Sequence, residues 1–150
     1  MVLSKLKLTL LENPDSNEEE QLEAQFWRFV ESGMPDLPPE SEDKRFLISA
    51  YIGDQYVGGL KANAYWDGLE IEVLWVDDDY RNQGIGRQLV MEAEKYAGTQ
   101  GSVIAFLKTV EAVPFYESLG YSVYGTLEDR PVGTVLYHMK KRLDQDHAIS

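Results

Sequence analysis

Apolar positions recur along the chain with two periods, close to two residues in some stretches and close to 3.6 in others, and their alternation predicts the order of elements. Residues 3–11 alternate leucines with Lys5, Lys7 and Thr9, a strand pattern. "SNEE" at 16–19 then reads as a capping box, Ser16 as N-cap and Glu19 three positions on, opening a helix whose stripe is Leu22, Phe26, Phe29 and Val30. That stripe is expected in the core. A Pro-rich acidic loop at 33–44 could form a functional lip. Three strands are predicted next, at 45–53, 56–66 and 69–76, with turns at Asp54–Gln55 and at Asp67–Gly68. A helix over 84–97 carries Ile85, Leu89, Val90, Ala93, Tyr96 and Ala97 on one face and ends at Gly98 and Gly101. "SVIAFL" at 102–107 is apolar throughout, as in a central strand buried on both faces. Residues 111–119 form a short helix with Pro114 in its first turn and Gly120 as its stop. Two strands, 121–127 and 134–143, and a polar tail at 144–150 complete the chain.

At 150 residues, with 43% apolar residues and 17 aromatics (3 Trp, 9 Tyr, 5 Phe), the chain is long enough for one self-sufficient core, so a single domain is expected. The absence of cysteine excludes disulfides, thiolate metal sites and a cysteine nucleophile. His138 and His147 cannot build a metal cluster alone, so no metal is expected. The lysines at 5 and 7 interrupt what would otherwise be a signal-peptide core, and no apolar run is long enough to span a membrane. The expected location is therefore the cytoplasm.

Formal charge is -12, and residues 12–43 hold 11 acids against Arg28, or -10, leaving -2 for the rest. Nucleic acid is excluded as a partner, since polyanion binding needs a basic surface. The acidic stretch is either a solvated face or a field that draws in a cationic substrate.

Candidate chemistry concentrates in "YRNQGIGRQLV", residues 80–90. Glycine costs about 1 kcal/mol against alanine within a helix, yet Gly84 and Gly86 stand where the helix begins. A helix N-terminus offers unpaired amides and a partial positive charge, glycines let a bulky anion come close, and Arg81 and Arg87 flank the turn. This describes a phosphate or pyrophosphate site. It lacks the Lys-Ser/Thr ending of a P-loop, and the third glycine of a dinucleotide fingerprint is replaced by Leu89, which disfavours a plain nucleotide-binding domain.

The stretch resembles the signature of the GNAT superfamily of acetyl-CoA-dependent N-acyltransferases, Arg/Gln-x-x-Gly-x-Gly/Ala after a strand, here Arg81-Asn82-Gln83-Gly84-Ile85-Gly86 after Leu74-Trp75-Val76. A second landmark of the family matches "AVPFYESLGY" at Ala112–Tyr121. A bacterial-type subgroup ending is matched by Gly125, Leu127, Asp129, Pro131, Gly133, Lys141 and Leu143, so the resemblance covers residues 45–143. It implies an α/β (α+β) fold: a mixed, mostly antiparallel sheet of about seven strands, splayed between the fourth and fifth and flanked by three or four helices. It also implies acetyl-CoA as cosubstrate, with the backbone of Leu74, Trp75 and Val76 bonding pantetheine and acetyl groups. Asn82 to Arg87, including Gln83 and Ile85, would wrap the pyrophosphate, and Thr109 stands where relatives carry a cofactor-touching Asn.

Amide formation from a thioester needs a neutral amine, a stabilised oxyanion and a proton for the departing thiolate. Without cysteine, direct attack by the amine is more economical than an acyl-enzyme. By the resemblance Tyr116 is the general acid; by its place on an apolar stripe it could equally be packing. Glu72, then Glu70, are the candidate bases in "LEIEV", two apart on one strand face, with an exposed charged pair as the alternative. The expected acceptor is a small cationic or amino-acid-like amine, with a homodimer as the assembly suggested by relatives. The competing function is a non-catalytic acyl-CoA sensor.

Overall fold

The computed structural model describes residues 5–144, so the expected tail lies almost wholly outside the described residues. Two compact units are present, one up to Leu37 and the other from Pro38 onward.

In the first unit, α1 runs Ser16–Gly33. Its N-cap is Asp15, whose carboxylate accepts the Asn17 amide, rather than Ser16. Aspartate caps as well as serine, and here it sits where the extended backbone ends. Glu18 and Glu19 face the positive end of the helix dipole. The predicted stripe exists, but no residue of α1 is buried, and Leu22 and Phe29 are more than 70% exposed, so the core assignment was wrong. Periodicity identifies an apolar face, not the surface that covers it. Residues 5–11 belong to no strand, and Leu6, Leu8 and Leu10 are exposed. Alternation is necessary for a half-buried strand, but a ladder also needs a partner edge.

The second unit is a sheet of six strands instead of about seven, in the order β1-β2-β3-β4-β6-β5. They are β1 Lys44–Ile52, β2 Gln55–Tyr65, β3 Gly68–Val76, β4 Ile104–Thr109, β5 Ser122–Glu128 and β6 Val135–Arg142. All pairs are antiparallel except β3 with β4. Helix α2, Ile85–Thr99, packs on β1, β2 and β3; α3, Val113–Ser118, packs on β5. Helix α3 falls within its predicted span, whereas α2 runs two residues past the predicted end and includes Gly98.

Leu89, Val90, Ala93 and Ala97 of α2 meet Leu60, Ala62, Leu69 and Ile71 of the sheet, with Ala105, Leu107 and Met139 continuing the same core. Of "SVIAFL" only the last four residues enter the central strand, which runs on to Thr109, and Ile104 and Phe106 are only half-buried. The β2–β3 turn centres on Trp66 and Asp67, both at positive φ, one residue earlier than predicted. Tyr65 pairs with Gly68, and that register closes a two-residue loop.

Register also sorts the side chains into faces. Phe46, Ala62 and Ile71 form one row toward α2, with Ile48, Leu60 and Leu74 the next. Arg45, Asn63 and Glu70 form a row on the opposite face. Lys61 pairs with Val73 while Ala62 pairs with Ile71, which leaves Glu72 as the extra residue of a β-bulge. The bulge restores inward placement to Leu74 and Val76 and keeps both glutamates off the α2 face.

Candidate active site

The parallel ladder between β3 and β4 contains three pairs, Gly68–Ile104, Leu69–Ala105 and Glu70–Phe106, and then stops. Beyond that point β3 runs on to Val76 and β4 to Thr109 without pairing to each other, which is the splay expected between the two central strands. The backbone of β3 above the fork has no ladder partner on its β4 side. Such groups need other acceptors and donors.

A cavity of about 560 Å³ lies at the end of this stretch. Leu74, Trp75 and Val76 form one wall, and Arg81, Asn82, Gly84, Ile85, Gly86 and Arg87 form another. Ala112, Phe115, Glu111 and Tyr80 complete it. Ala112 and Phe115 belong to the second motif, so the two motifs, separated by residues 87–111, face one space. Tyr80 and Glu111 were not anticipated, and no spacing marks them. Gln83, Thr109, Tyr116, Glu70 and Glu72 do not line this cavity. Thr109 Oγ1 instead accepts the Ala112 amide at 3.1 Å and turns the chain into α3.

The two glycines have different duties. Gly84 is the N-cap of α2 at φ +82°, with no heavy atom within 4 Å of where a Cβ would stand, so it supplies a left-handed turn facing open space. A Cβ on Gly86 would lie 3.2 Å from the Phe115 ring, so this glycine lets α2 and α3 approach. Close packing against Phe115 is thus a second role for Gly86, beside the one expected of both glycines. Arg81 is tied down by Nε donating to the Val76 carbonyl at 3.0 Å and by an ion pair with Asp78 at 2.9 Å. Trp75, half-exposed, stacks on Tyr56 with centroids 5.9 Å apart.

Tyr116 is 6% exposed and belongs to the core cluster, edge-on to Phe115 at 5.0 Å and Tyr121 at 5.8 Å. The packing reading is therefore seen directly, and burial also raises the phenol pKa, so the group holds its proton at neutral pH. Neighbouring Tyr121 donates to Glu94 at 2.7 Å, and Glu94 also pairs with Lys141 at 2.9 Å. This triad anchors the second motif to α2 and β6.

The glutamates have distinct environments. Glu70 accepts a hydrogen bond from the Tyr65 hydroxyl at 3.0 Å. Burial first, then Glu70 itself, push the Tyr65 pKa up to about 12, so the phenol stays a donor and occupies that carboxylate. Glu72 lies on the bulge, paired to Lys61 at 3.7 Å and 30% exposed.

The sequence model described as the acetyltransferase (GNAT) family matches residues 8–121. This chain belongs to the GNAT family: it is an acetyltransferase, and acetyl-CoA is its cosubstrate. Among curated proteins, it is similar to the blasticidin-S acetyltransferase of Streptomyces morookaense, 30% identical over 92 residues, covering 59% of this chain and 68% of that one. Among solved structures, an acetyltransferase from Bacillus cereus superposes with a TM-score of 0.74 at 28% identity, covering 89% of this chain and 97% of the other. An aminoglycoside 6'-N-acetyltransferase complexed with coenzyme A shares the fold at a TM-score of 0.63 and 20% identity, with 88% and 96% coverage. Among the described residues, no helix is long and apolar enough to cross a membrane.

Proposed function

We propose that the enzyme transfers an acetyl group from acetyl-CoA directly to the primary amine of a small cationic or amino-acid-like molecule. The observation that carries this reading is the cavity where the unladdered end of β3, the Gly84 turn and the start of α3 converge. Its open Gly84 corner and flanking arginines suit a pyrophosphate, and the free edge of β3 suits an amide-bearing arm.

Acetyl-CoA supplies the thioester. The chain supplies everything else: Leu74, Trp75 and Val76 orient the donor through main-chain groups, and an N–H of this stretch polarises the carbonyl. Glu72, the carboxylate on the bulge, takes the proton of the incoming ammonium through water, since an aliphatic amine near pKa ~10.4 is mostly protonated at neutral pH. As the amine adds to the carbonyl and the C–S bond breaks, Tyr116 gives its proton to the sulfur and is reprotonated, through water, by the second proton that the nitrogen loses on becoming an amide. Its raised pKa keeps that proton available. Glu70, already engaged by Tyr65, is the weaker candidate for base.

The two units are taken as one domain, because the family match runs across both. A cytoplasmic enzyme acting on a small molecule, with no nucleic-acid or membrane partner, fits the acid surplus. A homodimer is the assembly the family resemblance suggests.

Thermal unfolding with acetyl-CoA, ATP and NAD tests the cosubstrate site first: saturation at ~100 times Kd adds about 2.7 kcal/mol and raises Tm for acetyl-CoA alone. Thiol release on adding cationic amines then tests transfer. Stabilisation by acetyl-CoA with no thiol release across amines would favour the acyl-CoA sensor.

A further inference from the structure

The last paired row below the fork runs Arg45, Asn63, Glu70, Phe106 across four strands. Asn63 is 6% exposed, and its Nδ2 donates to Asp43 Oδ2 at 3.2 Å. Its Oδ1 is buried with no hydrogen-bond partner, and among the described residues it is the one side-chain polar atom in that state. Buried acceptors in native proteins are nearly always satisfied, so an orphan calls for a donor that is missing.

The surroundings define what donor is wanted. Asp43 is 11% exposed and bonded to the same amide, Glu70 stands directly opposite Asn63, and Glu72 follows on the bulge. Glu70 holds the Tyr65 hydroxyl at 3.0 Å, and the charges of Asp43 and Glu72 add to its own in keeping that phenol protonated. Two cations answer them, each mostly exposed: Lys61 at 3.7 Å from Glu72 and Arg45 at 3.8 Å from Asp43. Arg45 is also drawn to Glu40 at 3.3 Å, and such long, solvated pairs contribute little. Three acids against two loosely held bases leave a deficit of one positive charge.

We propose that this row is a subsite for a second cationic group of the acceptor, an ammonium or guanidinium that donates to Asn63 Oδ1 and is neutralised by Asp43 and Glu70, displacing Arg45. It rests on the reading of the enzyme as an amine acetyltransferase and deepens it. The reacting end of the site at Leu74 lies roughly 10 Å further along β3, about three residues of rise once the bulge is discounted. The favoured substrate is therefore an extended molecule with two cationic ends. The acids that select it come from the sheet and from Asp43 at its edge.

The test compares 1,6-diaminohexane with hexylamine, which matches it in length but has one charge, in wild type and in Asp43→Asn and Glu70→Gln. In Asp43→Asn the two neighbouring amides can satisfy each other, so the orphan acceptor is quenched without opening a cavity. Wild type should favour the diamine at least tenfold in kcat/KM, through KM, and each variant should shrink that ratio to below about threefold. Acetyl-CoA must still raise Tm in each variant, which separates a lost subsite from a lost fold. A wild-type ratio near one, or a ratio kept in both variants, overturns the subsite and assigns the Asn63 oxygen to a buried water. If acetyl-CoA binds but no amine is acetylated, the functional reading fails by itself. Calorimetric titration of the diamine, with and without CoA, then decides the subsite: binding lost in Asp43→Asn supports it, and no binding to wild type overturns it.

Discussion

From Gly68 to Glu70, β3 is laddered on both sides, to β2 and to β4; from Ile71 to Val76 it is laddered to β2 alone. Below the fork the backbone is satisfied, so any chemistry must come from side chains, and Glu70, Asn63 and Asp43 are those the proposed subsite uses. Above the fork the backbone itself is available, and side chains such as those of Leu74 and Val76 turn back into the core. The contrast explains why cosubstrate binding and acceptor choice can diverge in one fold. Main-chain recognition tolerates many sequences, whereas recognition by carboxylates and an amide changes with each residue.

The sharpest way to break this division is at Tyr116, which the proposed mechanism assigns to the upper half and which packs in the core. Tyr116→Phe keeps the ring contacts with Phe115 and Tyr121, so it should lower kcat by roughly 10²–10⁴-fold while acetyl-CoA still raises Tm. Unchanged kcat would return Tyr116 to packing alone. Next in size, Glu72→Gln should cost kcat by about 10²-fold and be partly rescued at higher pH, where more amine is neutral. Glu70→Gln should act on the KM for cationic acceptors, and the reverse pattern would exchange the two roles.

Gly84→Ala should destabilise by about 1–2 kcal/mol, because alanine must enter the left-handed region. Gly86→Ala keeps ordinary helical geometry, and the Phe115 ring must give by a few tenths of an ångström, so a smaller loss of Tm is expected. Equal losses in the two, read by thermal unfolding, would contradict the different duties assigned to them.

The smallest effect is at alkaline pH. Tyr65 has its pKa raised in the folded state to about 12, so the folded protein keeps a proton that the unfolded chain loses near 10. Its contribution is constant below pH 10 and is lost as pH climbs from 10 toward 12. Tyr65→Phe should make the fall in Tm across that window shallower than in wild type; an identical slope would mean that Tyr65 is not held by Glu70.

Local signals made much of this protein legible. Strand and helix periods placed all six strands, α2 and α3, and all of these except the largely exposed β5 bury one regular face against the same core. The glycine-arginine turn and the Phe115-Tyr116 helix were readable for a related reason: a left-handed cap, a close helix contact and an aromatic pair packed on the core restrict residue type at fixed spacing. Glu70 and Glu72 were visible as a pair, but not their unequal surroundings.

Tertiary structure decided what depends on partners far along the chain. Whether the leucines at 6, 8 and 10 enter a sheet, or the α1 stripe a core, turns on a second surface that periodicity does not contain. The fork exists because β4 pairs with β3 for three residues and then follows β6. Asp43 meets Asn63, 20 residues away, only through the register of β1 on β2, and the unsatisfied oxygen between the carboxylates follows from that register. The sequence by itself determined which residues could bind a phosphate, shield a phenol or carry a charge. Their convergence was decided by strand pairing, since hydrogen-bond registers set distances between residues that no local preference can relate.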